Sequence, residues 1–323
     1  MIAKHIRVAR KFRGKDGRWP CRCKYAYATT ASGETRIDTI TLSELDVLDP
    51  RYFANEEPVV VKGAVAGWPA VKKWKDLQWL KDYFGHHMVP VEVGKNYVDS
   101  EQHHIPFGAY LDYVSKKETN LDTGELPNLY LAQYDLLDQI PELKEDVIPP
   151  YQEQEDDDTM SDIGTQDDFR NLINRLGKGD LYSTNSWVSG ARTASNTHRD
   201  PLHNIFCQVV GTKYFRIFFP DNEADMYPNH SVFNSNTSRI EKFFHAVHLD
   251  KDSSSEARKS TDTHFEYTNY SQEELDRDGF SNFYNVKYKD CFLSPGDVLY
   301  IPKRRWHYAL STDVSISVNY WFL

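Results

Sequence analysis

Two histidines and an aspartate are the residues of this sequence best placed to do chemistry together. His198 and Asp200 stand two apart in Ser195-Asn196-Thr197-His198-Arg199-Asp200. On an extended strand that spacing turns an imidazole and a carboxylate to the same face. A third ligand comes from His307, in Trp306-His307-Tyr308. Two imidazoles and one carboxylate on one side of a metal leave its opposite side open, an arrangement suited to non-haem Fe(II) and O2. His-x-Asp alone is common; Lys213, in Gly211-Thr212-Lys213-Tyr214, gives it weight. Iron held in this way needs a co-substrate that supplies electrons. A 2-oxo acid chelates through its keto oxygen and adjacent carboxylate, and its far carboxylate then requires a cation inside an apolar barrel. Lys213 is predicted to return level with the metal across a Gly211-Thr212 hairpin; the bland alternative is a surface lysine at a strand end. Tyr130, Ser195 and Asn204 would complete that carboxylate's hydrogen bonds, although each taken singly also fits a satisfied structural group.

The other titratable groups add less. His203, His230, His245, His248, His264 and the pairs His86-His87 and His103-His104 combine with no nearby acid into a metal pattern. Cys21, Cys23, Cys207 and Cys291 form no disulfide framework and no paired zinc knuckle, so a reducing compartment, nucleus or cytoplasm, is expected. Trp306 is read as a packing residue that orients His307. Glu92 is flanked by apolar residues and is either a surface residue on an edge strand or a site residue.

The elements that must position these groups are short. Strands are predicted at Val59–Lys62, stopped by Gly63; at Val89–Val93; at Leu129–Gln133, with Tyr130 and Ala132 on one face; and at Phe206–Val210, Tyr214–Phe219, Cys291–Leu293, Val298–Ile301 and Val314–Trp321. Helices are predicted at Thr39–Leu45, at Leu77–Phe84 with Gly85 as its stop, at Phe107–Val114 with Phe107, Tyr110, Leu111 and Val114 inward, and at Leu136–Leu143 around a proline. Closely spaced strands with turn signals between them imply an all-β sandwich or barrel. Two polar stretches, near 152–168 and 250–280, are read as surface inserts.

Bulk properties set outer bounds. With 323 residues, 40% hydrophobic and 14% aromatic, the chain can bury a sizeable core and is not of the disordered class. No apolar run approaches the roughly 20 residues of a membrane-spanning helix, and no secretory signal is expected. The net charge is −10, yet the first 25 residues are basic, with Asp16 their single acid. That arm fits a nucleic-acid contact, an acidic partner, a targeting signal or a solvated extension. The acidic remainder suits a cationic substrate better than a polyanion.

From about Thr39 to Leu323 the sequence resembles the Jumonji-C (JmjC) family of 2-oxoglutarate-dependent oxygenases. The resemblance lies in Val61-Lys62-Gly63 with Trp68-Pro69, Val89-Pro90-Val91-Glu92-Val93-Gly94, His198-Arg199-Asp200, Gly211-Thr212-Lys213-Tyr214, Ser294-Pro295-Gly296-Asp297 and Trp306-His307-Tyr308. Tyr130-Leu131-Ala132-Gln133 followed by Asp138-Gln139-Ile140-Pro141-Glu142-Leu143 is most similar to the arginyl-hydroxylase clade also described as histone lysine demethylases. The resemblance implies a mainly β double-stranded β-helix (cupin, or jelly-roll) core with surrounding helices over 37–323, after a basic extension at 1–36. It implies Fe(II) on His198, Asp200 and His307, 2-oxoglutarate on Tyr130, Ser195, Asn204 and Lys213, and O2 as oxidant. Glu92, Tyr97, Gln133 and Trp187 then line the target pocket, where a carboxylate with aromatics suits a guanidinium. The expected activity is hydroxylation of a protein or peptide side chain, arginine foremost, with possible chromatin association. Demethylation of N-methyl-lysine by the same chemistry is the alternative, and a non-catalytic chromatin or partner-binding module is the rival of another class. Nucleic acid is not the expected main substrate. Arg199 inside the His-x-Asp motif and Arg305 before Trp306 depart from the family pattern.

Overall fold

Runs of β-branched and aromatic residues form the strands that the sequence predicts, with others between them. In order they are β1 (Asp38–Thr41), β2 (Val59–Lys62), β3 (Met88–Val93), β4 (Glu101–Pro106) and β5 (Leu129–Tyr134). Next come β6 (Leu181–Ser189), β7 (Ala194–His198), β8 (His203–Val210), β9 (Lys213–Phe219), β10 (Phe244–His248) and β11 (Phe265–Asn269). The last are β12 (Lys287–Leu293), β13 (Val298–Ile301), β14 (His307–Ser311) and β15 (Ser315–Phe322). This computed structural model describes residues 36–47, 57–94, 100–119, 129–147, 169, 172–177, 179–231, 234–248 and 265–323. The basic arm, the insert at 152–168, much of that at 250–280, and Tyr97 lie outside them. The described residues fall into two compact units, a smaller one within Lys242–Tyr270 and a larger one within Thr30–Glu241 and Ser271–Leu323. The smaller holds the antiparallel pair β10–β11.

In the larger unit a nine-stranded sheet runs β1-β2-β13-β8-β15-β6-β5-β3-β4, and a four-stranded sheet runs β12-β9-β14-β7. From β7 to β9, and again from β12 to β15, successive strands alternate between the two sheets. This is the winding of a jelly roll. Val60, Phe206, Phe215, Ile217, Leu293, Leu299 and Ile301 pack together as one apolar cluster. A second cluster joins Ile205, Cys207, Val209, Ile316, Val318, Tyr320 and Phe322 of the large sheet to Trp68, Leu80, Tyr110 and Phe169. β8 and β15 are therefore covered on both sides and read as unbroken buried runs. The helix Phe107–Thr119 buries Phe107, Tyr110, Leu111 and Val114 as its spacing predicts. Tyr110 also pins two strands: its hydroxyl donates to the Val188 carbonyl at 2.6 Å and accepts from the Leu131 amide at 3.0 Å. Among the described residues no helix is long and apolar enough to cross a membrane.

Four local expectations are corrected. Thr39–Leu45 is helical only in its second half: Thr39–Thr41 belong to β1, which pairs in parallel with β2, and a 3-10 helix follows at Leu42–Val47, tied by the Glu44 carboxylate to the Thr41 amide at 2.7 Å. Leu136–Leu143 divides at Ile140 into two four-residue helices, Leu136–Gln139 and Pro141–Lys144, because Pro141 ends one and starts the other. The polar stretch near 250–280 is not wholly loop. It contains β11 and a helix at Gln272–Arg277 whose Ser271 and Glu274 make a reciprocal capping box. Finally, Gly211-Thr212 does not close a hairpin. β8 and β9 lie in different sheets, so this pair is the crossover between them.

That crossover depends on glycine. Gly211 has φ +71°, and a Cβ there would run into the Val314 carbonyl and the Asp313 carboxylate. The Thr212 amide donates to that same carboxylate at 2.6 Å. Gly279 also has positive φ, +80°, with open space around it. Gly279→Ala is expected to cost only the left-handed strain, about 1–2 kcal/mol. Gly211→Ala is expected to exceed about 3 kcal/mol in denaturant unfolding, since steric collision adds to the same strain.

Candidate functional site

β7 and β14 are neighbours in the four-stranded sheet, and their register sets His198 directly opposite His307. The register shifts between His307 and Ala309, a bulge of the kind that re-aims side chains beside a site. The two imidazole centroids are 4.3 Å apart. Asp200 lies two residues beyond the end of β7, so it joins His198 through the following loop and not, as expected, on the strand itself. Its Oδ1 is 3.8 Å from His198 Nε2 and its Oδ2 is 3.7 Å from His307 Nε2. One ligand atom from each residue falls within 4.8 Å of the other two, a spacing that fits one metal ion. Each ring places its Nδ1 against a backbone carbonyl, Asn196 at 2.6 Å and Arg305 at 2.9 Å. With Nδ1–H donating there, both Nε2 lone pairs face the carboxylate, ready for a cation. Burial first, then neighbouring His198, pushes the His307 pKa down to about 4, so this imidazole is neutral at physiological pH.

Lys213 is 2% exposed, its ammonium 5.1 Å from the Phe206 ring centroid and 5.9 Å from that of Tyr130. No carboxylate among the described residues pairs with it, and burial lowers its pKa to about 7. Lysine is almost never buried unpaired, so this position calls for an anion. It is not level with the ligands as predicted: Ile217 faces His307 on β9, and Lys213 lies four residues further along, facing Ser311. That is roughly 13 Å of strand. Tyr130 is buried with its hydroxyl bonded to that of Ser195, and desolvation raises its pKa above the ordinary phenol value. Asn204 Oδ1 accepts from Asn319 Nδ2 at 2.9 Å, and Asn319 Oδ1 accepts from Trp187 Nε1 at 2.7 Å. This chain leaves the Asn204 amide nitrogen without an acceptor among the described residues.

One cleft is bordered by His198, Asp200, Tyr130, Ser195, Glu92, Gln133 and Trp187, with Ala132, Trp321, Asn236 and Thr237 also on its wall. His307, Lys213 and Asn204 stand behind this surface. The edge-strand alternative for Glu92 is excluded, since β3 is paired on one side with β4 and on the other with β5. Glu92 faces Tyr130 in register, and no cation or donor among the described residues meets its carboxylate. Burial raises its pKa to about 6. Gln133 reaches the cleft from a bulge in β5 and has a left-handed φ of 48°. Trp187 lies 5.9 Å from Tyr130, centroid to centroid. On the cleft wall, the buried polar atoms Trp321 Nε1 and Thr237 Oγ1 have no hydrogen-bond partner among the described residues, as befits a cleft shaped for a polar guest.

Sequence reasoning missed Asn319, Trp321, Asn236 and Thr237. For the first two a signal existed. Within Ser315–Phe322 the apolar Ile316, Val318, Tyr320 and Phe322 alternate with Ser317, Asn319 and Trp321, which must share the opposite, polar face. Asn236 and Thr237 carry no pattern; they reach the site because Thr237 bridges to His198.

Comparison with known proteins agrees with this architecture. The cupin-like domain family matches residues 46–323, and the chain belongs to that family, as a member of JmjC type. Its relatives include "Lysine-specific demethylase JMJ30" of Arabidopsis thaliana, 32% identical over 84% of this chain and 51% of that protein. "Lysine-specific demethylase 8" of Xenopus tropicalis is 30% identical over 90% of this chain and 53% of its own length. "Jumonji C domain-containing protein 5" of Drosophila melanogaster is 28% identical over 91% and 61%. The chain thus spans a little over half the length of these relatives.

The unpaired Glu92 carboxyl makes a measurable demand on stability. Its folded pKa of about 6 lies above the ordinary 4.5, so the stability it contributes is fully present below about pH 4.5 and lost as pH rises through 6. Glu92→Gln escapes that loss. Its melting temperature is expected to exceed the parent's at pH 7.5, with the gap closing near pH 4.5.

Proposed function

We propose that this chain is an Fe(II)- and 2-oxoglutarate-dependent oxygenase that hydroxylates a protein or peptide side chain, arginine being the residue its cleft favours. The observation that carries this reading is the convergence of His198, Asp200 and His307 within 4.8 Å, on a cleft backed by the buried, carboxylate-free Lys213. In this reading His198 and His307 offer Nε2 and Asp200 a carboxylate oxygen to Fe(II). Lys213 holds the far carboxylate of 2-oxoglutarate, aided by the Tyr130 and Ser195 hydroxyls and the Asn204 amide. Bound iron with 2-oxoglutarate and O2 supplies the oxidising chemistry, consuming the 2-oxo acid to succinate and CO2 and leaving one oxygen atom for the target carbon. The protein's own part is to hold those ligands in fixed rotamers, to line the cleft with Trp187 and Trp321, which exclude water, and to orient the guest. Glu92 takes the cationic head and Gln133 adds a hydrogen-bonding amide. Tyr97, outside the described residues, belongs to this pocket by the family resemblance.

Demethylation of N-methyl-lysine is the second reading, favoured by the names of the plant and frog relatives. Glu92 and Gln133 weigh toward arginine, because a guanidinium can use a carboxylate and an amide together, whereas a methylated ammonium is better served by an aromatic cage. A nuclear or cytoplasmic setting with association to chromatin belongs to the same proposal and accords with the free thiols of Cys207 and Cys291. So does the organisation of residues 37–323 as one catalytic domain bearing polar inserts behind a basic extension at 1–36.

The test is incubation of the chain with Fe(II), 2-oxoglutarate, O2 and peptides bearing arginine or methylated lysine, followed by mass spectrometry. Gain of one oxygen on an arginine peptide is the expected outcome, and loss of a methyl group would transfer the assignment to demethylation. Absence of turnover together with absence of Fe(II) binding would leave the non-catalytic binding module. Lys213→Met is expected to weaken 2-oxoglutarate binding by about a hundredfold or more, the cost of stripping the cation from a buried anion. Calorimetric titration with the 2-oxo acid checks this directly.

A further inference from the structure

The three ligands proposed for the metal come from two segments far apart in sequence. Strand pairing sets their register, and on their outer side they are tied by a further contact among residues that the catalytic reading does not use. Arg199 sits between His198 and Asp200, and its guanidinium carbon lies 5.0 Å from the Trp306 ring centroid. Trp306, which precedes His307, is 1% exposed. A single carboxylate oxygen joins the two: Glu223 Oε2 accepts from Arg199 Nη1 at 2.7 Å and from Trp306 Nε1 at 2.7 Å.

We infer that Glu223 is a positioning residue of the metal centre, clasping the His198–Asp200 loop to the strand that carries His307 through Arg199 and Trp306. The inference rests on the metal-centre reading above. Glu223 opens a 3-10 turn, Glu223–Met226, that Asn222 caps by accepting from the Ala224 amide at 3.1 Å. The turn is itself moored beside the ligands. Met226 is fully buried, and its carbonyl accepts from Ser238 Oγ at 2.6 Å. The Ser238 amide donates to the carbonyl of Thr197, the residue before His198, at 2.8 Å. The loop backbone is fixed as well, since the Arg199 amide donates to the Asn236 carbonyl at 2.9 Å and the Arg304 amide to the Asp200 carbonyl at 2.6 Å. With the backbone held at these points, the remaining freedom is the approach of the Arg199 side of the loop to the Trp306 side of β14. That approach bears on where the loop holds Asp200 relative to the two paired imidazoles. An exposed Arg–Glu pair alone contributes little. Here the same oxygen also satisfies the indole N–H of a buried tryptophan, which no other acceptor meets among the described residues.

The full chain, freed of metal, is titrated with Co(II) alone, read by calorimetry and by the absorption bands of the bound ion; the melting temperature of the metal-free protein is measured beside it. Glu223→Ala is expected to weaken Co(II) binding roughly tenfold with the metal-free melting temperature nearly unchanged. Glu223→Gln keeps an acceptor for Trp306 but loses the charge opposite Arg199, and is expected to fall between Ala and the parent. Arg199→Ala should weaken binding too, and the Arg199→Ala, Glu223→Ala double variant by less than the product of the single losses. Parental affinity in Glu223→Ala overturns the inference, as does a loss of affinity matched by an equal collapse of the metal-free protein in both Glu223 variants. Failure of the parent itself to bind Co(II) would instead remove the metal-centre reading.

Discussion

The constraint on which the rest of the site turns is a lysine ammonium held inside a β-sandwich with no protein carboxylate to meet it. Such a charge is costly, and the same burial lowers the Lys213 pKa to about 7. The protein relieves it only partly, through the faces of Phe206 and Tyr130. A surface lysine would gain little from a bound anion, because water already solvates it. A buried one exchanges most of its desolvation for the pairing, so anion binding and the integrity of the fold are thermodynamically linked. Two carboxylates, Glu92 and Asp200, line the cleft in front of Lys213 without pairing with it, which keeps the cation available.

The sandwich sustains this by changing character from strand to strand. Near Ile301, Leu299, Phe215 and Ile217 the two sheets are joined by an apolar cluster. Beside that cluster, Gln208 and Asn204 of β8 and Ser317 and Asn319 of β15 are buried, Asn204 level with Ile301 and Asn319 level with Phe206. They are joined by hydrogen bonds such as Ser317 Oγ to Gln208 Oε1 at 2.8 Å and Asn319 Nδ2 to Asn204 Oδ1 at 2.9 Å. A buried polar network of this kind specifies orientation when its members satisfy one another. Here the chain from Trp187 through Asn319 to Asn204 ends on an amide with donors to spare. The network thus fixes one side chain that borders the cleft, Trp187, and one that stands behind it with a free donor.

Much of this was legible in the sequence wherever the information was local. His198, Asp200 and His307 announce themselves by residue type, and Lys213 by its place after a glycine-bearing turn. The helices at Leu77–Phe84 and Phe107–Thr119 follow from their apolar stripes. What was not legible depends on pairing between distant segments. The Gly211-Thr212 crossover looks like a hairpin because nothing nearby tells a strand which sheet it will join. Glu92 looks like an edge residue because its two neighbours, β4 and β5, are only established by the fold. Glu223 and Asn236 carry no local signature, and their places follow from where separate turns are tethered. The helix read at Thr39–Leu45 begins too early because the pairing of Thr39–Thr41 with β2, a distant partner, has no local signature.

Gln133 shows how a local exception can build a site. Along a regular strand, side chains three residues apart face opposite sides, so Tyr130 in the cleft would send Gln133 toward the helix-covered face that holds Leu131. The register of β5 against β6 shifts between Leu131 and Tyr134, and that shift reverses the alternation. Gln133 adopts a left-handed φ of 48° at this point, a conformation that costs a non-glycine residue about 1–2 kcal/mol. The strain has a structural counterpart: it lets one strand present Tyr130 and Ala132 to the cleft and then Gln133 as well. A strand without the bulge would keep the residue proposed to hold the 2-oxo acid and lose the amide proposed to meet the substrate. In the proposed function, co-substrate and target recognition are thereby coupled through six residues of backbone, Leu129–Tyr134, that Tyr110 fastens to the core from behind.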